Sequence, residues 1–213
     1  MRTILSISLI IILTSCDSEK SVLPILGQHD YETRTEAGKT ISDTIHYTVP
    51  DFSFLGHRSV EINNNTIAGK VTIVDFFFTT CPTICPVMSR NMKKISQEFL
   101  GKKNLAMLSF SIDAIHDSIP VLNKYASKLN VENENWHFLV CEKKKTFELA
   151  KGFMISAAED KNAPGGLIHS GAFILLDGQQ RIRAYYDGTK EEDVDKAIAD
   201  IKGSVSAKEQ EFF

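Results

Sequence analysis

The chain has 213 residues, of which 43% are hydrophobic and 24% charged, and its formal net charge is −3. This composition is typical of a globular protein that builds one core, so one domain with tails is the simplest organisation. The sequence has no basic patch, which argues against nucleic acid as a partner.

The N-terminus has the pattern of an export signal. Arg2 precedes an apolar run over residues 4–13, which is too short to span a bilayer but suits a signal-peptide core. The run ends in Leu13-Thr14-Ser15-Cys16, which resembles a bacterial lipobox. We therefore predict a lipoprotein signal peptide over residues 1–15 and lipidation of Cys16, which would anchor the chain to a bacterial membrane in the cell envelope, with its domain in the periplasm. An uncleaved anchor and an ordinary signal peptide remain as alternatives.

The rest of the chain divides into a tether, a domain and a tail. Residues 16–47 are polar and predict a flexible tether, residues 48–203 a folded domain, and residues 204–213 a C-terminal tail. Apolar periodicity within the domain predicts strands at 71–78, 105–112 and 136–140, helices at 87–100, 119–129, 143–152 and 191–201, a first hairpin at 52–62 and a second at 170–186. This order is similar to the thioredoxin arrangement, so the predicted fold class is α/β. We expect a three-layer α/β/α domain with an added N-terminal β-hairpin.

Two cysteines lie where the buried strand 71–78 ends and a helix begins. Pro82 and Pro86 favour extended backbone at Cys81 and Cys85, and Pro86 suits a first helical position, which makes Cys85 the predicted N-cap. The helix dipole should lower the pKa of a thiol placed there. Two such thiols can form a disulfide or hold a soft metal ion, and the residues alone leave both uses open.

His169 is the candidate third ligand. It lies at the end of a long loop and directly before a strand, which in a thioredoxin-like fold enters the sheet beside the cysteines. Two thiolates and an imidazole form a ligand set for copper. Nine further residues are interpreted as structural rather than functional: His57, His116, His137, Met88, Met92, Cys141, Asp113 and Asp117 as core, loop or capping residues, and Asp75 as a buried carboxyl whose partner the sequence does not reveal.

Residues 49–201 resemble the Sco/SenC family of exported, membrane-tethered copper proteins. The resemblance rests on the segment from Val49 to Leu55, the segment from Phe78 to Pro86, the loop at 111–117 and His169-Ser170. It implies copper ligands at Cys81, Cys85 and His169, a thiol reductant that keeps the cysteines reduced, and delivery of copper to the copper-site subunit of cytochrome c oxidase. The chain departs from the family pattern at Ile168, where Asp is usual, at Ala114-Ile115-His116, and at Cys141, where Gly is frequent.

The leading functional hypothesis is therefore a copper metallochaperone rather than an enzyme. A thiol–disulfide reductase that uses Cys81 and Cys85 is the enzymatic alternative, and three residues between the cysteines, with His169 where oxidoreductases keep a cis-proline, argue against it. A copper or redox sensor would use the same three residues, and the sequence does not separate sensing from delivery.

Overall fold

Strand β5, Val71–Phe77, is buried along its whole length and forms the centre of the structure. The computed structural model describes residues 23–211, without the side chains of 207–211. The predicted signal peptide, Cys16 and the first part of the predicted tether lie outside the described residues. Within them, no helix is long and apolar enough to cross a membrane.

Strand β5 lies in a mixed seven-stranded sheet. The other strands of this sheet are β3 Ser53–Gly56, β4 Glu61–Asn63, β6 Leu105–Ser111, β7 Trp136–Val140, β10 Ala172–Leu176 and β11 Ile182–Asp187. Their order is β11-β10-β5-β6-β7-β3-β4. Strands β5, β6 and β7 pair in parallel, and each strand beyond them on either side pairs antiparallel with its neighbour. The helices are α1 Asn64–Ile67, α2 Cys85–Glu98, α3 Ile119–Lys128, α4 Lys143–Gly152 and α5 Glu191–Glu211.

Both faces of the sheet are covered, because consecutive side chains of a strand point to opposite faces. Phe76 packs on one face against Phe153 at the end of α4, with ring centroids 5.7 Å apart. Phe77 packs on the other face against Tyr125 of α3, at 5.5 Å. Helices thus flank a central sheet on both sides, which confirms the predicted thioredoxin-like α/β class, and β3 and β4 form the predicted added hairpin.

Four local predictions differ from the structure. Residues of the predicted tether form an antiparallel hairpin, β1 Asp30–Glu36 with β2 Lys39–Ile45. All of its strand residues but Ile41 are exposed, so the sequence shows no alternation of apolar and polar residues there. The predicted loop at 157–167 contains two short strands, β8 Ala157–Glu159 and β9 Leu167–His169, which pair with each other. Helix α5 continues past its predicted end at Ile201, because Val205 is buried and extends its apolar side. The short helix α1 was not predicted.

Candidate metal centre

The turn between β5 and α2 carries the two cysteines, and both are buried: Cys81 is 8% exposed and Cys85 is 1% exposed. The structure corrects the predicted capping. Helix α2 begins at Cys85 itself, Ile84 is the N-cap with helical backbone angles, and Pro86 is the second helical residue. Cys85 is therefore not extended as predicted. It points from the first turn of the helix into the core.

A buried carboxylate holds this turn against the neighbouring strand. Asp117 is 1% exposed and accepts the backbone N–H of Thr79 at 3.1 Å and the hydroxyl of Ser111 at 2.5 Å. The Thr79 hydroxyl donates to the same carboxylate. The predicted capping role of Asp117 is wrong, because Ser118 is the N-cap of α3 and no side chain bonds the helix end. Asp117 instead fixes the backbone two residues before Cys81.

His169 completes a cluster of three possible metal ligands. Its Nε2 lies 3.1 Å from Cys85 Sγ, and the ligand atoms of Cys81, Cys85 and His169 all lie within 4.8 Å of one another. Its Nδ1 lies 2.9 Å from the carbonyl oxygen of Ser170, which can only accept a hydrogen bond. The proton of the neutral ring therefore sits on Nδ1, and Nε2 presents its lone pair to the thiols, as a metal-binding histidine requires.

The donor set fits a soft or borderline metal ion. Two sulfurs and one imidazole nitrogen suit copper and zinc better than the hard cations calcium or magnesium. A cleft of about 110 Å³ opens beside the cluster and gives access to it from solvent; it is lined by Phe78, Cys81, Thr83, Ile84, Ala163, Pro164, Leu167, Ile168 and His169. The site can thus hold an ion at the surface of the domain without exposing both thiols.

The two thiols differ in acidity. Burial alone would raise the pKa of Cys81, but hydrogen bonds donated to its thiolate outweigh it and lower that pKa to about 6; they come from His169, when Nε2 also carries a proton, and from the thiol of Cys85. Burial, followed by the hydrogen bond with Cys81, raises the pKa of Cys85 far above its usual range. The prediction that the helix terminus would lower the pKa of Cys85 is therefore wrong, since burial outweighs the helix dipole. Cys81 supplies a thiolate near neutral pH.

Asp75 lies on β5 beneath the cluster and is 2% exposed. Burial raises its pKa to about 6, against the lowering effects of its hydrogen bond with Ser109 and of the charge of His169. Ser109 donates to the carboxylate at 2.5 Å and accepts the indole N–H of Trp136 at 2.9 Å. Ser109 is thus the partner of Asp75 that the sequence did not reveal, because it lies on another strand, β6.

The residues interpreted as structural lie outside the cluster. Met88 and Met92 are fully buried in the core. His57 is buried and its Nδ1 accepts the backbone N–H of Phe138, whereas His116 is an exposed loop residue whose Nδ1 lies 2.7 Å from a carboxylate oxygen of Asp113. His137 lines a separate cavity of about 270 Å³ beside Arg58 and Glu134, and Cys141 is a free, half-buried thiol. Sequence reasoning missed the contact between Phe78 and the His169 ring, for which no local signal exists.

Comparison with known proteins places the chain in a family. The SCO1/SenC family model matches residues 42–206. A SCO1/SenC family lipoprotein from Bacillus anthracis str. Ames is 26% identical, with a TM-score of 0.68 over 74% of this chain and 95% of that one. BsSco, a member of the Sco family of cytochrome c oxidase assembly proteins, is 25% identical, with a TM-score of 0.66 over 75% and 94%. ScoI from Bradyrhizobium japonicum, solved with copper bound, shares the fold at 16% identity, with a TM-score of 0.63 over 74% and 99%. The chain therefore belongs to the SCO1/SenC family.

Proposed function

We propose that this protein is a copper metallochaperone that binds one copper ion through Cys81, Cys85 and His169 and delivers it to the binuclear copper site of cytochrome c oxidase. The observation that carries the proposal is the orientation of His169, whose Nε2 lone pair faces the thiols while the Ser170 carbonyl holds the proton on Nδ1. In this tautomer an unprotonated ring nitrogen faces two thiols, which is the arrangement that metal binding requires.

The donor set favours copper in both of its biological oxidation states. Thiolate sulfur selects Cu(I), and an imidazole nitrogen supports Cu(II) as well. The low pKa of Cys81 means that one thiolate is present before any metal arrives, so binding releases fewer protons at neutral pH. Family membership supports the same assignment, because BsSco belongs to a family of cytochrome c oxidase assembly proteins and other Sco proteins have been solved with copper bound.

Delivery requires that a recipient reach the ion, and the placement of the site supports this. Three ligands leave a copper ion short of a closed coordination shell, and the cleft beside Cys81 and His169 opens this position to a partner protein. Thiols of the copper-site subunit of the oxidase can then replace those of this chain one at a time.

The same chemistry requires a reductant. A disulfide between Cys81 and Cys85 cannot bind copper as two thiolates do, and an oxidising compartment favours that disulfide. A thiol reductant of the cell envelope is therefore part of the proposed cycle, acting before copper binds.

We also propose that the domain is tethered to a bacterial membrane through lipid on Cys16 and faces the periplasm. The support is the pattern Leu13-Thr14-Ser15-Cys16, together with family membership of a lipoprotein of similar sequence. Replacement of Cys16 by Ser should release the protein from membranes or stall its processing, as fractionation and mass spectrometry would show. Normal processing with unchanged membrane association would instead indicate an uncleaved anchor.

The decisive experiment on copper uses His169→Ala, with His116→Ala as a matched control on an exposed loop outside the cluster. The reduced domain without residues 1–16 should bind one copper per chain, and so should His116→Ala. His169→Ala should lose stable copper binding and support of oxidase assembly, while the Cys81–Cys85 disulfide still forms and is still reducible. Stoichiometric zinc binding without a copper preference in the wild-type domain would overturn the proposal.

The difference between the thiols favours a second candidate, a thiol–disulfide reductase. A low-pKa thiol paired with a more deeply buried, high-pKa thiol is the usual arrangement of an attacking and a resolving cysteine. The Cys81 thiolate would attack the disulfide of a substrate and form a mixed disulfide with it. Cys85 would then attack Cys81 in this mixed disulfide, which forms the Cys81–Cys85 disulfide and releases the substrate as a dithiol. If His169→Ala loses copper but fully supports oxidase assembly, delivery is rejected and this candidate replaces it.

A further inference from the structure

The element that carries His169 is a ribbon formed by β8, β9 and the turn at 160–166 between them. Its pairing is internal: Ala157 pairs with His169, and Glu159 pairs with Leu167. In the described part of the chain the ribbon is a sheet of its own, separate from the seven-stranded sheet. The position of His169 relative to the cysteines therefore depends on how the ribbon packs on the domain.

The turn of the ribbon packs on Phe78 through a glycine. A Cβ atom on Gly165 would lie 2.8 Å from Phe78 Cε2 and 3.2 Å from Phe78 Cζ, closer than side chains tolerate. A Cβ atom on the next residue, Gly166, would meet no atom within 4 Å. Both glycines have positive φ angles, +84° and +75°, so any side chain at either position would strain the backbone. The two positions differ in that only Gly165 lies close to Phe78.

Phe78 also contacts two of the three candidate ligands. Its ring meets the His169 ring edge to face, with centroids 5.9 Å apart. Its carbonyl oxygen accepts the backbone N–H of Cys81 at 3.2 Å. Phe78 is 1% exposed, so the core fixes its ring in turn.

We propose that Phe78 is a positioning residue of the metal centre: by seating Gly165 and the His169 ring, it sets the distance between the imidazole and the two thiols. The inference rests on the proposed copper function for its consequence, that retention of copper depends on this contact. Phe78 directly follows β5, and Cys81 and Cys85 follow Phe78, so both cysteines should keep their places when the ribbon moves. His169 should move with the ribbon.

The test compares Gly165→Ala with Gly166→Ala. Both variants place a side chain at a positive φ angle, whereas only the first pushes the ribbon away from Phe78. Gly165→Ala should release copper on the order of 10- to 100-fold faster than Gly166→Ala, the range expected when the support of a ligand is lost. The EPR spectrum of its Cu(II) form should show weaker coupling to nitrogen. Melting curves check that both variants are folded.

Two further measurements separate positioning from a general loss of structure. In Gly165→Ala with Phe78→Leu, the smaller side chain leaves room for the methyl group, so copper release should return to the rate of Phe78→Leu alone. In the metal-free reduced protein, the imidazole protons of His169 should change chemical shift in Gly165→Ala and not in Gly166→Ala, because the Phe78 ring current depends on their separation.

Equal release rates and equal His169 shifts in the two glycine variants would overturn the inference. A wild-type protein that binds no copper would reject the proposed function, and the metal-free shifts would still decide the positioning role. If Gly165→Ala does not fold, Phe78→Leu alone must weaken the coupling to nitrogen in the EPR spectrum of the Cu(II) form. An unchanged coupling would then reject the role of Phe78.

Discussion

The cysteine turn and the His169 ribbon reach the same site from very different supports. The turn continues a strand buried at all seven residues, leads into a fourteen-residue helix and is bonded to the buried Asp117. The ribbon consists of two three-residue strands that pair with each other at the surface. Two of the candidate ligands are thus fixed by the core, whereas the third is carried by a peripheral element.

This difference indicates that thiol chemistry and metal retention are separable. Changes in the ribbon should alter the contribution of His169 and leave the Cys81–Cys85 disulfide nearly intact. Changes beneath the turn should affect both together. Local opening at low free energy is typical of small surface elements with few buried contacts, so release of a metal ion would start at the ribbon.

The largest expected effect comes from Asp117→Ala, which removes the carboxylate that holds the cysteine turn. The change leaves the Thr79 N–H and two hydroxyls without their acceptor in a buried place, which should lower the free energy of unfolding by about 3 kcal/mol. Urea unfolding of the reduced, metal-free domain measures this. The same variant should also form the disulfide more slowly, because the turn relaxes.

Asp51→Ala, which removes an exposed carboxylate, is the control for the change in charge. A loss in Asp117→Ala no larger than in Asp51→Ala would mean that the turn holds its shape without the carboxylate. The contrast between a fixed turn and a loosely held ribbon would then fail.

Asp75 lies beneath both regions and makes stability depend on pH. Its pKa is raised from 3.8 to about 6, so the folded state binds the proton more tightly than the unfolded state does. Asp75 therefore stabilises the folded state most at low pH, and this contribution is lost as the pH rises through about 6. Asp75→Asn lacks this loss, so its free energy of unfolding should gain about 2 to 3 kcal/mol on wild type between pH 4 and pH 7.

Urea unfolding at about pH 4, 5.5 and 7, on reduced metal-free protein, gives this difference, and Asp51→Asn supplies the baseline for removal of one carboxylate. A difference between Asp75→Asn and wild type that stays constant over the range would show that burial does not raise the pKa of Asp75 above its value in the unfolded chain.

The sequence predicted the fixed region better than the peripheral one, for physical reasons. The continuous apolar run before the cysteines predicts β5, and the prolines predict the start of α2 to within one residue. The ribbon has three-residue strands and no apolar period of its own, so the sequence suggested a loop. His169 was placed beside the cysteines only through the resemblance to a known fold and family.

Contacts between distant residues account for the remaining misses. Asp117 precedes a helix and so looks like a cap, but it bonds Thr79, which lies 38 positions earlier in the chain. The burial of Cys85 decides its pKa, and burial follows from packing that a local motif does not show. The exposed hairpin β1–β2 has no apolar face, and the periodicity on which strand prediction depends is absent from it.

The smallest expected effect tests the ribbon side of the comparison at Ile168, where the family usually has Asp. Ile168 is 46% exposed, so Ile168→Asp should change the free energy of unfolding by less than about 0.5 kcal/mol. A carboxylate next to His169 attracts a bound cation by about 1 kcal/mol, the scale for unit charges a few ångströms apart in water. Copper release should therefore slow about fivefold.

Ile168→Asn is the matched control, since it adds a polar side chain of the same shape without charge. Stopped-flow transfer of copper to a chelator measures both variants. Identical rates for Asp and Asn at position 168 would mean that this departure from the family pattern is functionally silent, and that the ribbon acts on the metal only through the placement of His169.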